Sequence, residues 1–362
     1  MRSETAVHNI SRLSFGANAI LSDVARLFPT TVLFVLFSCG RALAQEPAAV
    51  PAPAPPTFEA WLASLKAEAL TRGIRQEVVD AAFTDVQPIA SVLERDRSQA
   101  EFTLDLEKYL KRRLTRDTIR TAQAMYTKHR ALLAKIGLHY GVSPRVIVAV
   151  WGLESNFGRF AGVRPTIPTL TTLAYDPRRA TLFRGELFSA LEIVNRGDIE
   201  LEHLKGSWAG ALGQPQFMPS SYLQYAQDFD EDGRRDIWSS PADVFASVAF
   251  YLHEHGWTDK ESWGVEVRVP ADVKARLADV QLREDGCRAE RLMSTVQPLS
   301  HWRNLGLRTT GNRPLAKSSR TASLVAAGSR TFLVYSNYDA FLSYNCAHTY
   351  ALSVGLLADR LR

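Results

Sequence analysis

The sequence predicts a mainly α fold of the α+β type: a long series of helices, a small β-containing insertion and a closing helix. Three observations support this. Apolar residues recur at helical spacing from residue 58 to about 257. From about Trp263 the pattern changes to alternation, as in "WGVEVRVP", and to β-rich stretches with turn signals, as in "SLVAAGSRTFLVYS". The end, "HTYALSVGLLADRL", returns to helical spacing. With 362 residues, 46% of them hydrophobic, the chain can bury roughly two or three subdomains.

The elements follow in chain order. Arg2, Arg12 and Arg26 precede the apolar run "TTVLFVLFSCG", and Ala42-Leu43-Ala44 offers small-x-small cleavage before Gln45. Residues 1–44 therefore read as a secretory signal peptide, and the apolar run is short for a membrane-spanning helix. Lipidation at Cys39 is the competing reading, disfavoured by the bulky Phe37 in "LFSC". Residues 45–56, "QEPAAVPAPAPP", form an extended Pro/Ala-rich linker. Loss of residues 1–44 removes four arginines (2, 12, 26, 41) and two acids (Glu4, Asp23), which lowers the formal charge from +5 to +3. So mild a charge, with no concentrated basic stripe, argues against a nucleic-acid partner.

Helices are expected over "FEAWLASLKAEALTRG", ending at Gly73, and over "FTLDLEKYLKRRL", with Phe102, Leu106, Tyr109 and Leu110 on one face. One longer helix is expected over "TIRTAQAMYTKHRALLAKIG", ending at Gly137. "SPRVIVAVWGLESNFG" has Ser143 as N-cap, Pro144 at the first helical position and Gly158 as its stop. "TLFRGELFSALEIVNRG" and "PADVFASVAFYLHEHG" complete the series. Cys287 and Cys346 remain after export into an oxidising compartment. Their spacing leaves a disulfide and two buried thiols equally open.

One acid stands in an apolar context. Glu154 falls in the third turn of its helix, beside Val150, Trp151 and Leu153, with Phe157 following. Such surroundings disfavour a carboxylate and raise its pKa, as a general acid requires. Taken alone, a helical Glu more often faces water. Farther on, "GSWAGALGQPQFMPSSY" combines small residues, hydroxyls, the amides of Gln214 and Gln216, and aromatics. That composition suits a saccharide groove and equally suits a tightly packed helix entry.

"VWGLESNFGR", "GSWAGALGQPQFMPSSY", "DFDEDGRRDIW", "ASVAFYLHEHGW" and "YNCAHTYALSVGLLA" occur in the order found in the membrane-bound lytic murein transglycosylase B family, and "QAEFTLDLEKYLKRRL" fits upstream. The chain resembles that family over roughly residues 57–362. The resemblance implies a lysozyme-like helical catalytic core over 131–257, preceded by an N-terminal helical domain at 57–130. A small β-containing insertion at 258–335 and a return to the core at 336–362 complete the implied division. It also implies cleavage of the β-1,4 bond between N-acetylmuramic acid and N-acetylglucosamine of peptidoglycan, leaving a 1,6-anhydro end. The catalytic residue implied is Glu154. The implied surroundings are Arg178 and Arg179 for substrate carboxylates, Ser207 to orient Glu154, Gln216 and Asn345 for acetamido groups, and Tyr251, Tyr344 and Tyr350 against the sugars. Without the resemblance, the arginines read as solvated charges and the tyrosines as core packing. The implied partners are peptidoglycan glycan strands, with other cell-wall enzymes as further candidates. A monomer in the periplasm is expected, and no cofactor for the chemistry.

Asp228, Asp230, Asp232 and Asp236 occupy positions 1, 3, 5 and 9 of an EF-hand-like loop, with Gly233 at position 6 and Arg234 offering its carbonyl at position 7. The glutamate of position 12 is replaced by Ser239, and Asp243 is the expected substitute ligand. The resemblance supports structural Ca2+ here; an acidic surface turn is the alternative. Two readings compete with a transglycosylase: a muramidase that uses water, and a non-catalytic peptidoglycan-binding protein.

Overall fold

The computed structural model describes residues 56–99 and 105–361. The signal peptide, Cys39, all but the last residue of the linker, and Phe102 lie outside the described residues. Residues 55–362 form one compact unit.

The chain starts with α1 (Phe58–Thr71), α2 (Gln76–Ala82), α3 (Ala90–Gln99) and α4 (Leu106–Arg113). Thr57 caps α1 by accepting the Ala60 N–H at 3.3 Å, and Asp105 caps α4 by accepting the Glu107 N–H at 3.3 Å. Where one long helix is expected, two are found: α5 (Arg116–Lys128) and α6 (Arg130–Tyr140). The chain breaks at His129, whose ring packs edge-on against Trp151 and Phe245 at 5.9 and 5.2 Å. Gly137 does not end α6. A Cβ there would lie 2.8 Å from the Val142 carbonyl, so the glycine serves close packing, and the left-handed Gly141 (φ +67°) ends the helix.

Next comes α7 (Pro144–Ser155), which begins at Pro144 as predicted, although the Ser143 side chain makes no capping bond. Ile147, Val148, Ala149 and Val150 are all fully buried, so this helix is apolar on every side because core surrounds every side. Burial of each large apolar side chain contributes about 1.5–3 kcal/mol. The helices α5, α6, α11 (Pro241–Glu254) and α15 (His348–Ala358) pack around it.

Between them run β1 (Arg164–Pro165), α8 (Thr166–Tyr175), α9 (Ala180–Arg196), β2 (Lys205–Gly206) and α10 (Pro219–Tyr225). Helices α1, α2 and α3 join α8 and α9 in one hydrophobic cluster around Leu65, Val79, Leu170 and Leu191, whereas α4 and α5 pack into the cluster around α7. After α11 come β3 (Gly264–Arg268), α12 (Ala271–Lys274), β4 (Gln297–Pro298), α13 (Leu299–Leu305), β5 (Arg308–Thr309), β6 (Thr321–Ala327) and β7 (Arg330–Val334). The strands form an antiparallel sheet in the order β4-β6-β7-β3-β5, with Val325 opposite Phe332 and a turn at Gly328 (φ +63°). Strand β3 lies in the alternating stretch and β6 and β7 in the β-rich stretch, as predicted, while the two-residue β4 and β5 are not predicted. The chain then enters α14 (Asn337–Tyr344) and closes with α15. Cys287 of the insertion forms a disulfide with Cys346 in the turn between α14 and α15, which decides between the two readings of that pair.

Candidate active site

Glu154 lies at the C-terminal end of α7, where the buried helix emerges. The helix stops one residue later, at Ser155, with Asn156 as its left-handed C-cap, and not at Gly158. Asn156, Phe157 and Gly158 are successively left-handed, with φ of +52°, +59° and +81°. Two of these three are non-glycine, and such backbone is held only where its surroundings over-determine it. Three restraints do so. Phe157 folds back over Gly152, where a Cβ would lie 2.4 Å from its ring. The Ser155 hydroxyl donates to the Trp151 carbonyl and accepts the Gly158 N–H. Gln214 accepts the Trp151 indole N–H at 2.7 Å, donates to the Trp238 carbonyl at 2.7 Å and covers Gly158. "WGLESNFG" is thus a strained turn that fixes the acid's position.

The Glu154 carboxyl is half-buried by surface area and enclosed by protein atoms. Burial pushes its pKa up to about 7, against an opposing pull from Tyr350 and the Arg113 guanidinium. The buried Tyr350 hydroxyl has no hydrogen bond of good geometry and is turned toward this carboxyl. Burial and the nearby Glu154 push the Tyr344 and Tyr350 hydroxyls well above their ordinary values, so both stay protonated. Among the described residues no second carboxylate contributes to the titration of Glu154.

The other predicted residues fall into three groups. Tyr251, Tyr344 and Tyr350 form an aromatic wall, with centroids 4.7 Å apart for Tyr251–Tyr344 and 6.3 Å for Tyr344–Tyr350. Two of its hydroxyls are already engaged: Tyr251 donates to the Ser343 carbonyl and Tyr344 to the Pro215 carbonyl, each at 2.7 Å. Ser207 and Gln216 lie in the loop between β2 and α10, and Asn345 ends α14. Ser207 accepts the N–H groups of Ala209 and Ala211 and forms a tight turn. Gln216 is left-handed (φ +55°) and its amide donates to the Gly213 carbonyl at 2.7 Å. Asn345 is exposed at the end of α14. Arg178 and Arg179 form a third group: both pair with the buried Asp96 of α3, and Arg178 also pairs with Asp176. Their guanidinium groups tie the N-terminal helices to the end of α8 and remain about half exposed.

The sequence reading missed two site residues, Tyr109 and Arg113. Both come from α4 and both act on Glu154 or are acted on by it. Tyr109 falls on the predicted apolar face of its helix and Arg113 stands in the basic run "KYLKRR", and neither pattern points to Glu154.

The acidic loop is built around its own carboxylates. Asp228, Asp230 and Asp232 bring carboxylate oxygens within 4.8 Å of one another. Asp228 also accepts the N–H groups of Asp232 and Gly233, and the Arg234 N–H goes to Asp232. Asp243 is fully buried and accepts the N–H groups of Phe229 and Asp236, each at 2.8 Å, which closes the loop. Burial, reinforced by Asp230 and Asp228, pushes its pKa up to about 6. Clustered carboxylates with no cationic side chain bonded to them fit a hard cation.

The helical core thus carries an acid of raised pKa, Glu154, beside a wall of tyrosines. The family model of the transglycosylase SLT domain matches residues 57–359. The chain is 32% identical over 258 residues to membrane-bound lytic murein transglycosylase B of Escherichia coli (strain K12). That alignment covers 70% of this chain and 66% of the relative, just under two thirds of its length. SltB3 from Pseudomonas aeruginosa in complex with NAG-anhNAM-pentapeptide superposes with a TM-score of 0.75 and 41% identity, over 83% of this chain and 78% of that one. Escherichia coli Slt35 in complex with calcium gives 0.69 and 28%, over 83% and 91%. The chain belongs to the transglycosylase SLT domain family, and its fold is that of the lytic transglycosylases.

Proposed function

We propose that this protein cleaves the β-1,4 bond between N-acetylmuramic acid and N-acetylglucosamine in peptidoglycan strands and leaves a 1,6-anhydro-muramic acid end, in cell-wall turnover. The observation that carries this reading is the single acid, with its pKa near 7 and no carboxylate partner among the described residues. A two-carboxylate glycosidase needs a second one as base or nucleophile. Neutral Glu154 gives its proton to the glycosidic oxygen as the C1–O bond breaks. Positive charge at C1 is met by the sugar's own 2-acetamido oxygen. The Glu154 carboxylate then takes the C6 hydroxyl proton as O6 bonds to C1, which returns the acid to its starting state.

Tyr344, the partly exposed member of the tyrosine wall, meets a sugar face while the buried Tyr251 and Tyr350 back it, and the exposed Asn345 and the Gln216 loop meet acetamido groups. Arg178 and Arg179 meet substrate carboxylates with the half of each guanidinium that Asp96 leaves open. Ser207, whose oxygen is occupied as an acceptor, still has its proton to donate toward Glu154. The leader at residues 1–44 would deliver the protein to the periplasm. Mass spectrometry of products from purified sacculi tests the reaction: anhydro-muropeptides are expected, and reducing muramic acid ends would instead establish a muramidase.

Calcium in the acidic loop would take Asp228, Asp230 and Asp232, with the Arg234 carbonyl and the remaining lone pairs of Asp243 completing the set. Its effect would be to stabilise the loop. A ligand at a hundred times its Kd stabilises by about 2.7 kcal/mol. Addition of Ca2+ to chelator-treated protein is therefore expected to raise the melting temperature by several degrees. Asp228→Asn or Asp230→Asn should abolish that rise, and an unchanged response in both would remove the site.

A further inference from the structure

The last carbonyls of α7 need partners that the helix itself does not provide. Gly152 receives the Asn156 N–H at 3.1 Å and Ser155 receives the Phe160 N–H at 2.9 Å. The carbonyl of Leu153, the residue before Glu154, accepts a hydrogen bond from the Arg113 guanidinium. Arg113 thereby reaches from the end of α4 to the end of α7, although 40 residues separate the two positions. A cation at a helix C-terminus is favoured by the helix dipole as well as by the bond.

Besides Arg113, the described side chain that acts on Glu154 is Tyr350 from α15, and Glu154 in turn acts on Tyr109 from α4 and Tyr344 from α14. All three have raised pKa values and stay neutral over the working range. An arginine side chain carries a fixed positive charge. Arg113 therefore supplies the fixed charge in this group.

We propose that Arg113 is a positioning residue for the reaction: it caps the strained end of α7 through the Leu153 carbonyl and holds a permanent positive charge against the carboxylate that Glu154 becomes after giving up its proton. This rests on Glu154 being the acid. The lifetime of that carboxylate spans the interval between proton donation and removal of the C6 proton. A nearby guanidinium stabilises this state without accepting or releasing a proton. It also counters the burial that would otherwise make Glu154 too weak an acid near neutral pH.

Arg113→Met and Arg113→Lys test the proposal through the pH profile of kcat/KM on sacculi. In Arg113→Met, kcat should fall about tenfold with KM within about twofold. The basic limb should move to higher pH by about half a pH unit, since the charge is partly screened by solvent. Arg113→Lys should return the limb toward its original position and recover only part of the rate, because an ammonium lacks the guanidinium fork. A basic limb unmoved in Arg113→Met, or a loss entirely in KM, would overturn the proposal. Glu154→Gln separates the two levels of inference. If it stays active, the assignment of the acid fails; if it is inactive while the Arg113→Met limb is unmoved, only the role of Arg113 fails.

Discussion

Glu154→Gln is expected to lose activity and gain stability together. The amide keeps the shape of the acid and cannot deliver a proton. Release of anhydro-muropeptides should fall by roughly a hundred- to ten-thousand-fold, the range that proton transfer by a positioned side chain contributes. The stability change has the opposite sign and depends on pH. Burial raises the folded-state pKa of Glu154 from an ordinary 4.5 to about 7. The folded state therefore binds more protons than the unfolded state between these values, and the wild type loses stability as pH rises through that window. Below pH 4.5 the group is protonated in both states and costs nothing. Above about 7 the full penalty applies, on the order of 3 kcal/mol. Glu154→Gln escapes it, so its melting temperature should exceed the wild type's by several degrees at pH 8 and match it at pH 4. The same titration sets the activity profile: the wild-type rate should decline above about pH 7 as the acid loses its proton. A variant with wild-type activity, or one with no pH-dependent gain in stability, would refute the assignment.

This coupling shows what the sequence could and could not reveal. The boundaries of α7 and α9 were close to their predicted places because Pro144 and Gly197 act locally, through their own backbone preferences. The break between α5 and α6 was not visible. It depends on the His129 ring reaching Trp151 and Phe245, which lie on helices far away in sequence. The same distinction applies at the site. Apolar neighbours of Glu154 along α7 could be counted, but they pack the core; the enclosure of the carboxyl comes from α4, α14 and α15. Arg113 and Lys111 are alike as letters in a basic run. Only the fold shows that one of them reaches the Leu153 carbonyl. Arg178 and Arg179 show the converse, since their partner Asp96 lies more than 80 residues away.

Replacing both cysteines should produce the largest loss of stability of any change outside the core. The disulfide Cys287–Cys346 closes a loop with a sequence separation of 59. In the chain-entropy description a loop of that size contributes about 4 kcal/mol by restricting the unfolded state. For a chain of this length that corresponds to a fall of about six degrees in melting temperature. The bond also lies at a functional seam. Cys346 directly follows Tyr344 and Asn345 and precedes Tyr350, so the bridge anchors the insertion to the segment that forms the tyrosine wall. Arg283 pairs with Asp339 at 3.1 Å, the Ala289 N–H points to the Cys346 sulfur at 3.3 Å, and Tyr338 bonds the His348 ring at 2.9 Å along the same seam. His348 stays neutral there, because burial pushes its pKa down to about 4. These polar contacts are short-range and exposed in part, so they cannot replace a covalent anchor. Cys287→Ser/Cys346→Ser is therefore expected to melt about six degrees lower and, at a temperature where it is still folded, to cleave sacculi several-fold more slowly. Wild-type protein treated with a thiol reductant should reproduce both effects, while the double variant should not respond to the reductant at all. A reductant that leaves the wild-type melting temperature unchanged would mean that the bridge does not support this seam.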